Sequence, residues 1–184
     1  WKGGCPFSDA QRVHDAVLSS ACKKFVKLAR HQILEAQYDL LITTQVSGVE
    51  WVPGIALSGP KMAENGLISL WYDIAKSGTP ILVIKDNPRP IPKVLACLTS
   101  KGLTKCDQPR SKAFRPDPQV AAVKRLANSK VRLVNFDNVY CSSTACSPVI
   151  GHVIVYRDAN HVTSTFTKTL GPYLLPHIRK ALLN

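Results

Sequence analysis

Spread over 184 residues with 45% hydrophobic content, the sequence is long enough to bury one substantial core and has the size of a single domain. Its longest apolar runs, such as Ile81 to Ile84 and Val153 to Tyr156, fall far short of the about 20 residues a membrane-crossing helix needs, which excludes a spanning segment. The formal charge of +12, from 24 Lys and Arg against 12 Asp and Glu, suits an anionic partner such as lipid headgroups or an acidic envelope polymer. No basic run exceeds a pair such as Lys23-Lys24 and no aromatic stripe interleaves the cations, which argues against nucleic acid.

The chain opens at Trp1 with neither an initiator Met nor a signal-like stretch, so it reads as a piece of something longer. Ala21 to Ala36 sets Phe25, Leu28, Ala29, Ile33 and Ala36 at helical spacing, and Tyr38 to Thr44 then gives an apolar run suited to a buried strand. Pro60 to Lys76 reads as a second helix, closed by Ser77-Gly78 and followed by a strand over Pro80 to Ile84. Between Asp86 and Pro118 the prolines at 88, 90, 92, 109, 116 and 118 predict an irregular excursion. Asp117-Pro118 opens a third helix through Ala127, with a strand over Val131 to Phe136. A strand over Val153 to Tyr156 and a final helix from about Val162 through Leu183, disturbed at Pro172 and Pro176, complete the chain. This alternation predicts an α/β, doubly wound and mainly parallel sheet in a single domain over residues 1–184.

Six cysteines fall into close pairs along the sequence, Cys5 with Cys22, Cys97 with Cys106, and Cys141 with Cys146. An oxidising compartment is the natural reading, with nearest-neighbour pairing favoured among the fifteen connectivities that six cysteines allow. Zinc is the competing explanation, but no Cys-x-x-Cys or His-x3-His spacing occurs, so no metal is expected.

The most informative stretch is Tyr156-Arg157-Asp158-Ala159-Asn160-His161-Val162-Thr163, which sets Asp158 and His161 three residues apart between a strand end and a helix start. A carboxylate that orients an imidazole, leaving the other ring nitrogen to take a nucleophile's proton, is the base arrangement of Ser-His-Asp catalysis. Spacing alone favours the plainer reading, Asp158 as a helix cap and His161 as a surface or core histidine.

Asp-x-x-His followed by a hydroxyl residue near the C-terminus resembles the last motif block of the SGNH hydrolases. Together with Lys2-Gly3-Gly4-Cys5-Pro6 and the loop from Cys141 through Ser142, Ser143, Thr144 and Ala145 to Cys146, the chain resembles the SGNH domain fused behind bacterial acyltransferase-3 membrane proteins. The resemblance implies an SGNH/flavodoxin-like three-layer fold with about five parallel strands and a serine on a Gly-Asp-Ser loop after the first strand. No Gly-Asp-Ser occurs in the sequence, so the first strand and the nucleophile are expected before Trp1; the alternative is a variant that has lost catalysis. Ser47 and Ser58 lack a nucleophile-elbow context.

Among oxyanion donors the resemblance implies the backbone of Gly4. The family's Asn-Asp block is replaced here by Gln45-Val46-Ser47-Gly48 after Thr44, leaving Thr44 or Gln45 as substitutes. His152 reads as structural or exposed, Asp137 as a turn residue with Asn138, and Trp71 and Trp51 as core or groove wall, Trp51 being the one placed to line a sugar site. The implied activity is extracytoplasmic O-acyl transfer, most simply of acetyl, to a hydroxyl of a cell-envelope glycan or glycolipid. It needs no cofactor, and its donor is a fused or associated acyltransferase-3 membrane domain. A serine esterase of the same fold and a non-catalytic basic envelope-binding module are the rivals.

Overall fold

Asp15 holds an extended backbone while its carboxylate accepts the Leu18 N–H at 2.8 Å, so the first helix, α1 (Ala16–Ala36), starts at a cap that lies before the visible apolar periodicity. A computed structural model describes residues 4–102 and 105–183; Trp1, Lys2 and Gly3 of the opening motif lie outside the described residues. After α1 come β1 (Leu41–Thr43), α2 (Gly59–Lys76), β2 (Ile81–Ile84), α3 (Val94–Lys101), β3 (Gln108–Pro109) and α4 (Arg110–Ala113). Then follow α5 (Pro118–Leu126), β4 (Val131–Val134), α6 (Asp137–Tyr140), β5 (Ala145–Cys146), β6 (Val149–Ile150), β7 (Val153–Ile154), α7 (Ser164–Thr169) and α8 (Gly171–Leu182). Among the described residues no helix is long and apolar enough to cross a membrane.

Contacts divide the chain into two compact units, one formed by Trp1–Asp86, Pro116–Val134 and His177–Asn184, the other by Asn87–Arg115 and Asn135–Pro176. In the first unit β1, β2 and β4 form a parallel sheet in that order, with Leu41 beside Ile81 and Ile81 beside Val131. Strand alternation sends Ile81, Val83 and Val131 to one face, where Val26 and Ile33 of α1, Leu67, Trp71 and Ile74 of α2, and Ala122 of α5 pack on them. On the opposite face Arg132, registered beside Leu82, donates from Nη1 to the Lys180 carbonyl of α8 at 2.9 Å. Helices therefore stand on both faces of a parallel sheet, as the βα alternation predicts. Trp71 and Ile74 are fully buried, and each such side chain contributes about 1.5–3 kcal/mol of apolar burial.

The segment before α1 is docked on α2 through a glycine. Asp9 N–H donates to the Gly66 carbonyl at 3.2 Å, and a Cβ on Gly66 would lie 2.2 Å from the Ala10 nitrogen.

Several expectations need correction. The parallel sheet has three strands among the described residues, not about five. Val153 to Tyr156 contributes only β7, which pairs antiparallel with β6 across Gly151 and His152. Both turn residues have positive φ, 55° and 63°, the backbone of a tight two-residue hairpin that satisfies these strands locally. The excursion after Asp86 is not wholly irregular, since α3 and α4 form within it. The final helix breaks at Leu170: Pro172 falls in the first turn of α8, where a missing N–H costs nothing, and Pro176 stays inside. The three disulfides are the nearest-neighbour pairs, Cys5–Cys22, Cys97–Cys106 and Cys141–Cys146.

Candidate active site

Tyr156 and Val162 form an isolated antiparallel bridge, and Arg157 N–H donates to the His161 carbonyl at 2.8 Å, so residues 157–161 make a closed turn. The turn stands on buried supports of the second unit. Tyr156 is 2% exposed and its hydroxyl donates to the Pro88 carbonyl at 2.9 Å, while buried Arg89 donates from Nη1 to the Asn160 carbonyl at 3.2 Å. Within the turn the Asp158 carboxylate accepts the backbone N–H groups of Asn160 and His161, each at 2.8 Å. It also faces His161 Nδ1 at 2.8 and 3.0 Å. A carboxylate only accepts, so Nδ1 carries a proton, and in the neutral ring the lone pair is then on Nε2. The two backbone N–H groups, with the His161 ring after them, hold the Asp158 carboxyl well below the usual carboxylate range. Helix α7 is capped instead by Thr163, whose hydroxyl accepts the Phe166 N–H, so Asp158 is committed to its own turn and to His161.

In the first unit Gly4, Thr44 and Gln45 line one cavity of about 470 Å³, together with Trp51, Arg12 and the outer flank of β1. Gly4 has a φ of 79°, a conformation that side chains resist, and its carbonyl accepts from Arg12 Nη1 at 3.2 Å and lies 3.1 Å from His14 Nε2. The neighbouring Cys5–Cys22 bond ties that turn to α1. Replacing Cys5 and Cys22 together by serine is expected to cost about 3 kcal/mol in urea unfolding, because the bond closes a loop of 17 residues.

Gln45 carries the signal that sequence reasoning weighed only loosely. Both heteroatoms of its carboxamide are buried without a hydrogen-bond partner among the described residues, although the side chain borders the cavity. A buried, unpaired amide costs free energy that only an incoming acceptor or donor recovers. Behind it stands a polar network that the sequence did not reveal. Gln119 donates from Nε2 to the Gln45 carbonyl at 3.2 Å and to the Asp117 carboxylate, and Asp86 N–H donates to Asp117 at 3.1 Å. Ser47 donates from both its backbone and its hydroxyl to Asp86, at 2.7 Å each. Burial, with the Asp86 charge adding to it, pushes the Asp117 carboxyl up despite these hydrogen bonds. The one advance signal was an aspartate at a strand end, Asp86, and another before a helix, Asp117.

The remaining candidates fall into structural places. Ser47 is 5% exposed and bonded to Asp86, and Ser58 precedes α2. His152 sits in the β6–β7 turn, Asp137 opens α6, and Asn138 accepts from Arg110 at 3.0 Å. Trp71 is core, while Trp51 is both buried beside Ala10 and Ala63 and part of the cavity wall.

A family model described as "SGNH domain (fused to AT3 domains)" matches residues 1–176. No curated protein matches the chain. Among solved structures, the periplasmic domain of the lipopolysaccharide acetyltransferase of Salmonella ser. Paratyphi A is similar, with a TM-score of 0.68 at 14% identity over 96% of this chain and 69% of that one. With a parallel α/β fold, an Asp-x-x-His turn whose imidazole is oriented by its own aspartate, and a family match over nearly its whole length, the chain belongs to the SGNH domains fused to AT3 domains.

Proposed function

We propose that residues 1–184 act as one SGNH-like domain of an extracytoplasmic O-acyltransferase, whose nucleophilic serine precedes residue 1 on a further strand beside β1. The observation that carries the reading is the Asp158–His161 pair, with Nδ1 bound to the carboxylate and Nε2 making no hydrogen bond among the described residues. The outer edge of β1 supports it: no strand pairs there among the described residues, and the cavity beside it is walled by Phe25, Ile33 and Leu41, which suits a further parallel strand.

In this reading His161 Nε2 takes the serine proton as Oγ attacks the donor's acyl carbon, and returns it to the leaving group. The Gly4 backbone N–H and the Gln45 carboxamide, or the Thr44 hydroxyl, supply donors to the oxyanion. An envelope glycan or glycolipid hydroxyl then attacks the acyl-serine, giving its proton to Nε2, which passes it to the serine Oγ as the acyl–Oγ bond breaks. The family's fusion to AT3 domains supports a membrane-embedded acyl donor, and the structural neighbour, a lipopolysaccharide acetyltransferase domain, supports acetyl as the group and a glycolipid as acceptor. Three disulfides and the periplasmic setting of that neighbour support an extracytoplasmic location.

Full-length protein treated with a fluorophosphonate is expected to become labelled on a serine preceding residue 1, with labelling slowed by His161→Ala. Labelling that is absent, or indifferent to His161, would overturn the reading. Release of free acid rather than acylated glycan in the presence of acceptor would instead make the protein an esterase.

A further inference from the structure

A second cavity, of about 200 Å³, opens between the segment before α1 and the flank of that helix, wholly within the first unit. Its floor is apolar, formed by buried Pro6, Ala10, Cys22 and Val26. Its walls are cationic: Arg12, Lys23, Lys27 and Arg30 line it against a single carboxylate, Asp9. That carboxylate is already taken by Arg30, whose other terminal nitrogen approaches Asp73 at 3.6 Å. Arg12, Lys23 and Lys27 make no ion pair among the described residues.

Two further observations set this cluster apart from a solvated basic surface. The Nε atoms of both Arg12 and Arg30 are buried and make no hydrogen bond among the described residues. A guanidinium N–H withdrawn from water without an acceptor is costly, and burial lowers the pKa of Arg12 accordingly. Lys23 and Lys27 also stand four residues apart on α1, where like charges repel. A bound anion would relieve the lysine repulsion, drawing in both ammoniums as point charges, and would set a counter-charge beside the Arg12 guanidinium in the cavity wall.

We propose that this cavity is a binding site for an oxyanion, a phosphate or carboxylate group borne on a sugar-sized ligand whose carbon skeleton rests on the apolar floor. The site needs neither the Asp158–His161 pair nor a nucleophile, so it stands or falls separately from acyl transfer.

Calorimetric titration of the full-length protein at low ionic strength with glucose 6-phosphate, glucuronate and glucose tests it. At least one of the two anions is expected to bind saturably, glucose not at all. The anion that binds identifies the group recognised. The double variant Lys23→Gln/Lys27→Gln, at two exposed positions, is expected to keep its melting temperature and to bind about tenfold more weakly, whereas Lys76→Gln/Lys101→Gln binds as the parent does. Absence of binding by both anions, or equal affinity in the Lys23→Gln/Lys27→Gln protein, overturns the proposal.

Discussion

Full-length protein carrying His161→Ala is expected to transfer acyl groups about 10⁴-fold more slowly than its parent, with an unchanged melting curve. The side chain is 63% exposed and its main role in the structure is the bond to Asp158, so the loss falls on chemistry rather than on folding. Asp158→Asn is the more discriminating partner experiment. Its carbonyl oxygen can still accept the Asn160 and His161 N–H groups, so the turn survives, but the carboxamide no longer holds Nδ1–H or stabilises the imidazolium. A loss of about 10²-fold to 10⁴-fold in kcat with little change in KM is expected. The depressed pKa of Asp158 fixes a pH signature as well. A carboxyl whose folded pKa is lowered contributes fully above its unfolded pKa and loses that contribution only as the pH falls through the lower folded value. The pH profile of kcat/KM should therefore show no Asp158 inflection in the ordinary carboxylate range near about 4. Activity within about tenfold of the parent in His161→Ala would place the catalytic base elsewhere.

Gly66→Ala is expected to remove about 3 kcal/mol or more of stability, lowering the melting temperature by about 6–12 °C. The added methyl meets the Ala10 nitrogen at 2.2 Å, the Ala10 Cβ at 2.7 Å and the Ser8 hydroxyl at 2.8 Å. All three atoms lie on the docked segment at its closest approach to α2, and the Asp9–Gly66 hydrogen bond leaves that segment little room to retreat. Relief requires lifting residues 8–10 away from the helix, so the loss of Trp51 and Ala63 packing against Ala10 follows. Gly171→Ala is the matched control, since a Cβ there meets nothing within 4 Å; it should shift stability by less than about 0.5 kcal/mol. Urea unfolding followed by far-UV circular dichroism measures both, and equal effects would mean that residues 8–10 are not docked on α2 in solution.

Much of this architecture was legible because its signals are local. Asp117-Pro118 announced α5, Ser77-Gly78 closed α2, and the short apolar runs at Ile81 and Val131 became parallel strands. Close cysteines paired with their neighbours, as short loops favour. Reading failed where the deciding partner was remote or the cap lay outside the pattern. The start of α1 is set by Asp15, ahead of any periodicity, and Val155 and Tyr156 are buried without joining a strand, so an apolar run misled. The same division holds for the site. Asp158 and His161 were readable because three residues separate them, whereas the support of Gln45 by Gln119 spans 74 positions and leaves no trace in either neighbourhood.

That separation of three has a kinetic meaning. A contact between residues so close in sequence closes almost no loop, so its entropic cost is minimal and its formation does not wait for the slow pairing of distant strands. The Asp158–His161 pair is thus a low-contact-order module, assembled within its own closed turn on the timescale of local turns. Damage to the docking of residues 8–10 on α2, as by Gly66→Ala, should lower the fraction of molecules folded while leaving the Asp158–His161 hydrogen bond of each folded molecule intact.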